Sequence, residues 1–448
     1  MFGFKLLGKT HVPHRKNTAK CEAVRMTPPS EVLLPLLQHI GAPAKPVVKI
    51  GDEVKVGQLV AEADGYISAP IYSSVSGKVT KIESYLCPNG KTVDTIRIAS
   101  DGEMRAYEEI KAPVITDFDS FISAVRASGV VGLGGAGFPT AVKLEAIKRG
   151  GIDTIIINGA ECEPYITCDT LAMMNDGEWI KEAVDLLREQ ATPFGQVDFV
   201  FGIENNKPDA IEAMSELFSD ATDVSVCVLP SLYPQGAEKV LIHNTIGRIV
   251  PEGKLPADVG AIVINVSSLV YLAKYVKTGM PLVERVVTVD GSAVNTPANV
   301  IAPIGASIQS VIDFAGGLKE EAGKILLGGP MMGNAIASSN EPIIRLTGAI
   351  TVMNEKDSHE RETTACIHCG KCVSVCPTKL NPTGFSAALD CANQEERIAL
   401  LNSGAIKLCI ECGCCSFVCP ANRPLVQNNR LAKSEVKEYE AHKAGLKK

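Results

Sequence analysis

Cys366, Cys369, Cys372 and Cys376-Pro377 stand at the spacing C-x2-C-x2-C-x3-C-P, and the same spacing returns at Cys409, Cys412, Cys415 and Cys419-Pro420. Three thiols two residues apart give one short loop three soft ligands, and the proline after the fourth turns the chain away. Of the 15 cysteines in the chain, ten fall between Cys366 and Cys419, a density that ordinary core packing does not call for. The N-terminus, MFGFKLLGKTHVPHRKNTAK, has no apolar stretch of signal-peptide length. A reducing compartment is therefore expected, where thiols are more often metal ligands or catalysts than disulfides.

The doubled run is the spacing of bacterial modules that carry two [4Fe–4S] clusters, in which the fourth cysteine of each run ligates the other cluster. The expected sets are Cys366, Cys369, Cys372 and Cys419 on one cluster, and Cys409, Cys412, Cys415 and Cys376 on the other. Zinc ribbons use two C-x2-C pairs, a different pattern. Cys391 and Cys414 are spare: Cys391 is expected as a buried thiol in a helix, and of Cys414 and Cys415 only Cys415 keeps the spacing. Residues 385–402 read as helix, so the module is expected to be largely helical. His368, between two ligands, either tunes a cluster by hydrogen bonding or is simply exposed. Two cubanes in one module serve to move single electrons over a distance.

The rest of the chain has to supply or take those electrons. With 448 residues it has room for three or four domains. A net charge of −7 excludes a basic nucleic-acid binder. The longest apolar stretch, residues 259–276, is interrupted by Asn265, Ser267, Ser268 and Lys274. A spanning helix needs about 20 mainly apolar residues, so a strand followed by a helix is expected and no transmembrane segment. Attachment to a membrane through partner subunits is compatible with this.

Residues 47–82 alternate apolar and polar side chains, with turns at Gly51, Gly57, Gly65 and Gly77. The pattern resembles a biotinyl or lipoyl domain, but the exposed hairpin, SAPIYSSVSG, lacks the carrier lysine, which leaves a structural or docking role. Residues 117–129 change to helical spacing, with Phe118, Phe121, Ile122 and Val125 on one face. Residues 140–148 read as a second helix. Strands at 153–158, 197–202 and 224–229 then alternate with helices at 179–190 and 209–218, as in an open α/β layer. Residues 285–305 read as a small strand-rich unit with one helix after it. Residues 354–364 read as a linker or the start of an exposed helix. After Pro420 come seven Lys/Arg against three Asp/Glu, expected as an exposed tail.

Between these elements lie two loops that suggest chemistry. Gly132-Leu-Gly134-Gly135-Ala-Gly137-Phe138-Pro139 contains G-x-G-x-x-G but follows a helix, so it is not an ordinary dinucleotide turn. It is either a plain tight turn or a phosphate cradle, with Lys143 one turn into the next helix as the cation. The strand ending at Asn158 opens into Glu161-Cys-Glu163-Pro164. Acids at the carboxyl edge of a parallel strand are either solvated or accept bonds from ribose hydroxyls or an amide.

Together, GLGGAGFPT and INGAECEP resemble the flavin-binding subunit of respiratory complex I and related diaphorases, which pair such loops around FMN and oxidise NADH. Tyr233-Pro-Gln-Gly236-Ala-Glu238 and Ile264-Asn265-Val266 resemble further stretches of that family. The order of the whole chain resembles the C subunits of Rnf electron transport complexes. The resemblance implies that Gly132, Gly134, Gly135, Gly137, Lys143, Asn158, Gly236, Asn265 and Val266 surround FMN, with Phe138, Glu161, Glu163 and Glu238 nearer NADH. Leu133, Ala160 and Ala237 depart from the flavin family's Arg, Asp and Glu, so those three polar contacts are not carried over.

The expected architecture is α/β and multidomain. It consists of a barrel-sandwich hybrid over 1–115, a Rossmann-like FMN/NADH domain over 116–280, a β-grasp (SLBB-like) unit over 281–350, a helical two-cluster ferredoxin domain over 351–425 and an exposed tail over 426–448. The resemblance implies a peripheral subunit on the cytoplasmic face of the membrane. It would exchange hydride between NAD(H) and FMN and pass single electrons through two [4Fe–4S] clusters. Its partners would include a ferredoxin-like iron–sulfur subunit and the subunits that couple electron flow to ion translocation. Two other readings stay open: the diaphorase subunit of a soluble hydrogenase-type enzyme, and an electron-relay scaffold whose flavin site has degenerated.

Overall fold

The computed structural model describes residues 8–87, 90 and 92–445. At the N-terminal end, two small antiparallel sheets face each other. One orders Glu31–Pro35, Thr92–Ser100, Gly77–Leu86 and Glu53–Val54; the other orders Lys45–Pro46, Leu59–Glu62 and Ile71–Tyr72. The alternating apolar residues meet between them: Val32, Leu34, Val60, Val79, Ile96 and Ile98 are all fully buried. The carrier-like hairpin is not free. Tyr72 donates its hydroxyl to the Ala127 carbonyl (2.5 Å), and Ser74 donates to the Ile304 carbonyl (2.5 Å).

The next unit is an open parallel sheet. Its strands are β1 (Thr154–Gly159), β2 (Asp198–Glu204), β3 (Val224–Leu229) and β4 (Ala261–Asn265), ordered β3-β2-β1-β4. Ile155, Ile156 and Ile157 have no exposed surface, as expected of a strand covered on both faces. The chain runs outward from β1 to β3 and then returns across β1 to β4. The crevice beyond the carboxyl ends of β1 and β4 is therefore a topological switch point, where open α/β sheets take ligands. The helix Phe118–Ala127 begins at Asp117, which accepts from Ser120 N, and buries Phe118, Phe121, Ile122 and Val125. The helix expected at 140–148 is shorter: Thr140–Leu144 is α-helical and tightens into a 3-10 turn over Glu145–Arg149. The apolar stretch 259–276 folds as β4 followed by the helix Val266–Thr278. Among the described residues, no helix is long and apolar enough to cross a membrane.

The third unit is a six-stranded mixed sheet ordered Ala23–Arg25, Ala298–Pro303, Glu284–Asp290, Ala349–Asn354, Ala322–Leu327, Asn334–Ile336, covered by the helix Ile308–Phe314. Its edge strand comes from the N-terminal segment, where Ala23–Arg25 pairs parallel with 299–301 and Met26 joins the core behind it. Residues 1–115 are thus not confined to one unit.

In the cysteine module and the segment after it, three expectations are corrected. The stretch 385–402 is two helices, Pro382–Leu389 and Gln394–Ser403, because Asn393 caps the second by accepting from Glu396 N. Cys391 lies in the break between them and is half-buried rather than buried in a helix. Of the segment expected as an exposed tail, 426–448, the described residues to 445 are docked instead. Leu425–Gly445 is a helix whose Ala432 and Val436 are buried with Leu380, Phe385, Ile398, Leu401 and Ile406.

Candidate functional site

The two cysteine runs are built alike. His368 and Glu411, Gly370 and Gly413, and Lys379 and Asn422 hold matched places in the two copies, and all six have positive φ. Gly370 and Gly413 each start a short helix, Lys371–Ser374 and Cys414–Phe417. A cavity of about 220 Å³ is lined by Cys366, Cys369, Cys372 and Cys419. Cys376, from the first run, lies instead within electrostatic reach of Cys415, beside Cys409 and Cys412. Each crossed set offers four thiols, the number a cubane takes; among the described residues no three His, Cys, Asp or Glu side chains stand close enough together to hold a single metal ion. The outer set is the more open: Cys369 is exposed, with Ile367 67% and Phe417 48% exposed nearby. In the inner set Cys412 and Cys415 are buried.

At the switch point the glycine loop lies over β4. Gly132 N donates to Phe138 O (2.9 Å), closing the loop, and Leu133 N donates to Ser268 Oγ (3.1 Å) on the helix after β4. Gly134 and Gly135 are exposed. A Cβ at Gly134 would lie 2.6 Å from Asn265 Nδ2, whereas one at Gly135 would meet nothing within 4 Å. The loop thus presents open backbone, and a side chain at Gly135 would enter open space. Lys143 Nζ stands 3.0 Å from Val263 O and 3.2 Å from Glu238 Oε1. Asn158 Nδ2 donates to Gly236 O (2.9 Å). Glycine amides, a cation, amide side chains and the amino end of the helix Val266–Thr278 fit a flavin mononucleotide phosphate. Phe138 is half-buried at the rim of the loop and Val266 is buried beneath it. Leu133, which stands where the flavin family has Arg, turns into the barrel-sandwich core with Val130, Val131 and Ile304.

The structure takes Glu161 and Glu163 elsewhere. Glu161 accepts from Asp169 N (2.6 Å) and Thr170 Oγ1 (2.5 Å), capping the helix Cys168–Asn175. Glu163 accepts from Met331 N (3.1 Å) and Met332 N (2.7 Å), with Tyr233 Oη at 3.5 Å. Burial pushes the Glu163 carboxyl up to about 7, against the pull of those two N–H groups. Behind Asn265, Asp169 accepts from Asn265 Nδ2 (2.7 Å) and Ser267 Oγ (2.6 Å); burial and then the Glu161 charge raise it to about 6.

Three contributors have no counterpart in the motifs. Lys16 spans three carbonyls of the acidic loop, those of Glu161, Glu163 and Ile166. Lys207, its side chain 4% exposed, donates to Ala160 O (2.6 Å) and pairs with Glu204 (3.3 Å). Asn429 points at Cys409. The signal for Asn429 was present in the spacing of Leu425, Asn429, Ala432 and Val436, one helical stripe; the two lysines left none.

The two halves of the site meet. Val12, Tyr233, Cys412 and Cys414 form one buried cluster, with Cys162, Met331 and Val375 against it. Cys414 Sγ lies 3.8 Å from Tyr233 O, and Tyr233 pairs through its backbone with Thr10.

Family models match four stretches: an RnfC barrel sandwich hybrid domain over residues 4–103, a Nuo51 FMN-binding domain over 125–274, an SLBB domain over 286–335 and a 4Fe-4S binding domain over 360–379. The chain is similar to the C subunit of the proton-translocating ferredoxin:NAD(+) oxidoreductase complex of Clostridium ljungdahlii, 41% identical over 85% of this chain and 83% of that one. The C subunit of the Na(+)-translocating ferredoxin:NAD(+) oxidoreductase complex of Acetobacterium woodii is 40% identical over 85% and 86%. The C subunit of the ion-translocating oxidoreductase complex of Rhodobacter capsulatus is 38% identical over 98% and 85%. Among solved structures, an air-oxidized NAD+-reducing [NiFe]-hydrogenase is similar in fold, with a TM-score of 0.51 and 19% identity over 70% of this chain and 60% of that one.

Proposed function

The chain belongs to the family of ion-translocating oxidoreductase complex C subunits, and from that membership we propose that it is the peripheral electron-transfer subunit of a membrane-bound ferredoxin:NAD+ oxidoreductase complex of the Rnf type. Bound FMN would supply hydride exchange with NAD(H) and release of the electron pair one at a time, chemistry that belongs to the cofactor. The chain's own residues bind and orient it. Gly132, Gly134, Gly135 and Gly137 offer the phosphate open backbone. Lys143, freed from Glu238, supplies a cation. Asn158, Gly236, Asn265 and Val266 line the crevice floor. Phe138 and Glu238, at the rim, are the residues nearest an entering NADH, while Glu161 and Glu163 hold the loop shape from behind.

The two crossed cysteine sets are the proposed sites of two [4Fe–4S] clusters, and their position favours an order of use. The inner set (Cys409, Cys412, Cys415 and Cys376) is adjacent to the flavin domain. The outer set (Cys366, Cys369, Cys372 and Cys419) faces an open cavity, which suits exchange with a ferredoxin-like iron–sulfur subunit. Membrane attachment on the cytoplasmic face and coupling to ion translocation come from the other subunits.

The observation that carries this reading is the shared core of Val12, Tyr233, Cys412 and Cys414. It fastens Tyr233, three residues before Gly236 at the crevice, directly to the candidate cluster loop, as an electron path requires. The test is FMN content and NADH-driven dye reduction by the isolated, iron-replete chain. Both are expected; absence of both would favour an electron-relay scaffold.

A further inference from the structure

The helix Leu425–Gly445 reaches the inner cysteine loop with side chains that the cysteine spacing does not encode. Lys433 Nζ donates to Cys409 O (2.9 Å) and pairs with Glu411 (2.5 Å), and Arg430 adds a longer contact to Glu411 (3.4 Å). Val426 N donates to Ser416 Oγ (2.9 Å) on the same run. With helix and loop fixed in this way, Asn429, which is 2% exposed, places Nδ2 3.5 Å from Cys409 Sγ. A cysteine ligated to iron has no thiol proton and only accepts, which requires the NH2 side of the amide. Backbone N–H groups reach sulfurs of both sets, His368 N at 3.5 Å from Cys366 Sγ and Leu380 N at 3.2 Å from Cys376 Sγ, whereas Asn429 brings a side-chain amide to Cys409.

We propose that Asn429 is a positioning residue that raises the reduction potential of the inner [4Fe–4S] cluster by donating to the Cys409 sulfur. The inference rests on the reading that Cys409, Cys412, Cys415 and Cys376 hold a cluster. Reduction adds one negative charge that spreads onto the sulfurs. A donor aimed at a sulfur therefore stabilises the reduced state more than the oxidised one, and cluster potentials depend on such bonds. Because Asn429 lies outside the ligand motif, it can tune one cluster without altering the coordination of either.

The experiment is a mediator titration of the anaerobically purified full chain, followed by electron paramagnetic resonance. Two four-iron signals in the wild type test the cluster reading itself; fewer would overturn that reading, and this inference with it. Asn429→Leu keeps the shape and removes the donor. It is expected to retain both clusters and to make reduction of one about tenfold less favourable, about 59 mV for a single electron, with the other unmoved. Asn429→Asp, which adds a negative charge, should shift the same cluster further in the same direction. Two unmoved midpoints in Asn429→Leu would overturn the proposal. If Asn429→Leu loses a cluster, Asn429→Thr decides. A cluster kept near the wild-type potential supports the donor role, and a cluster lost there too makes Asn429 structural and overturns it.

Discussion

The ammonium of Lys16 lies 2.7 Å from the carbonyl oxygen of Glu161, and the carbonyls of Glu163 and Ile166 lie at 2.8 and 2.6 Å from the same nitrogen. One side chain from the N-terminal segment thus fixes the backbone of the acidic loop, leaving the two carboxylates to cap a helix and to clamp residues 331–332. Hydrogen bonds to a charged group are worth about 1.5–3 kcal/mol each and are not additive. Lys16→Met should therefore lower stability by about 2–4 kcal/mol and loosen FMN. Trp179, the one tryptophan of the chain, sits in the same domain and reports its unfolding by fluorescence. An unchanged denaturation midpoint would show that the loop holds itself.

Glu163 makes stability depend on pH. Its carboxyl is raised from 4.5 to about 7 by burial, so the folded state favours the protonated form. This contribution is fully present below about pH 4.5 and is lost as pH rises through about 7, up to about 3 kcal/mol at 1.36 kcal/mol per unit. Glu163→Gln should flatten the fall in apparent Tm between pH 5 and pH 8, and the variant should match or exceed the wild type at pH 8. A variant that keeps the wild-type slope would assign the pH dependence to other groups.

The glycine loop can be tested at two adjacent positions. Gly134→Ala would bring a methyl to 2.6 Å from Asn265 Nδ2, while Gly135→Ala meets no protein atom within 4 Å. Gly135→Ala should leave thermal stability within about 0.5 kcal/mol of wild type, as for surface changes generally. On the proposed reading of this loop as the phosphate cradle, it should nevertheless weaken FMN binding at least about tenfold. Gly134→Ala should cost both stability and flavin. Full flavin retention in Gly135→Ala, by equilibrium dialysis, would remove the phosphate from this loop.

How much of this was legible in the sequence depends on the range of the contacts. The cysteine ligands are local: a cubane dictates spacing, and the matched positive φ at His368 and Glu411 follows from wrapping the same loop twice. The parallel strands could be read because β1 and β4 are buried on both faces. Lys16 could not, since it acts about 145 residues away and resembles any exposed lysine. Glu161 and Glu163 were found as motif members, but motif membership says nothing of which way a carboxylate turns. For the last helix, its net positive charge outweighed the apolar stripe at Leu425, Ala432 and Val436 that docks it on the ferredoxin core.

The crossing of the ligand sets predicts a pattern in double variants. Cys419→Ala should remove one four-iron signal, and adding Cys366→Ala should remove nothing more, because both would serve the same cluster. Combining Cys419→Ala with Cys409→Ala should remove both signals. If Cys419→Ala with Cys409→Ala left one cluster intact, each run would serve its own cluster.

The most direct measurement of the central claim follows NADH electrons through the chain. Purified, iron-replete protein is assayed anaerobically for bound FMN, for NADH-driven reduction of a dye, and for four-iron signals after chemical reduction. The account predicts bound FMN, dye reduction that Gly135→Ala suppresses without loss of iron, and two four-iron signals. Protein that holds both clusters yet binds no FMN and reduces no dye with NADH would contradict it.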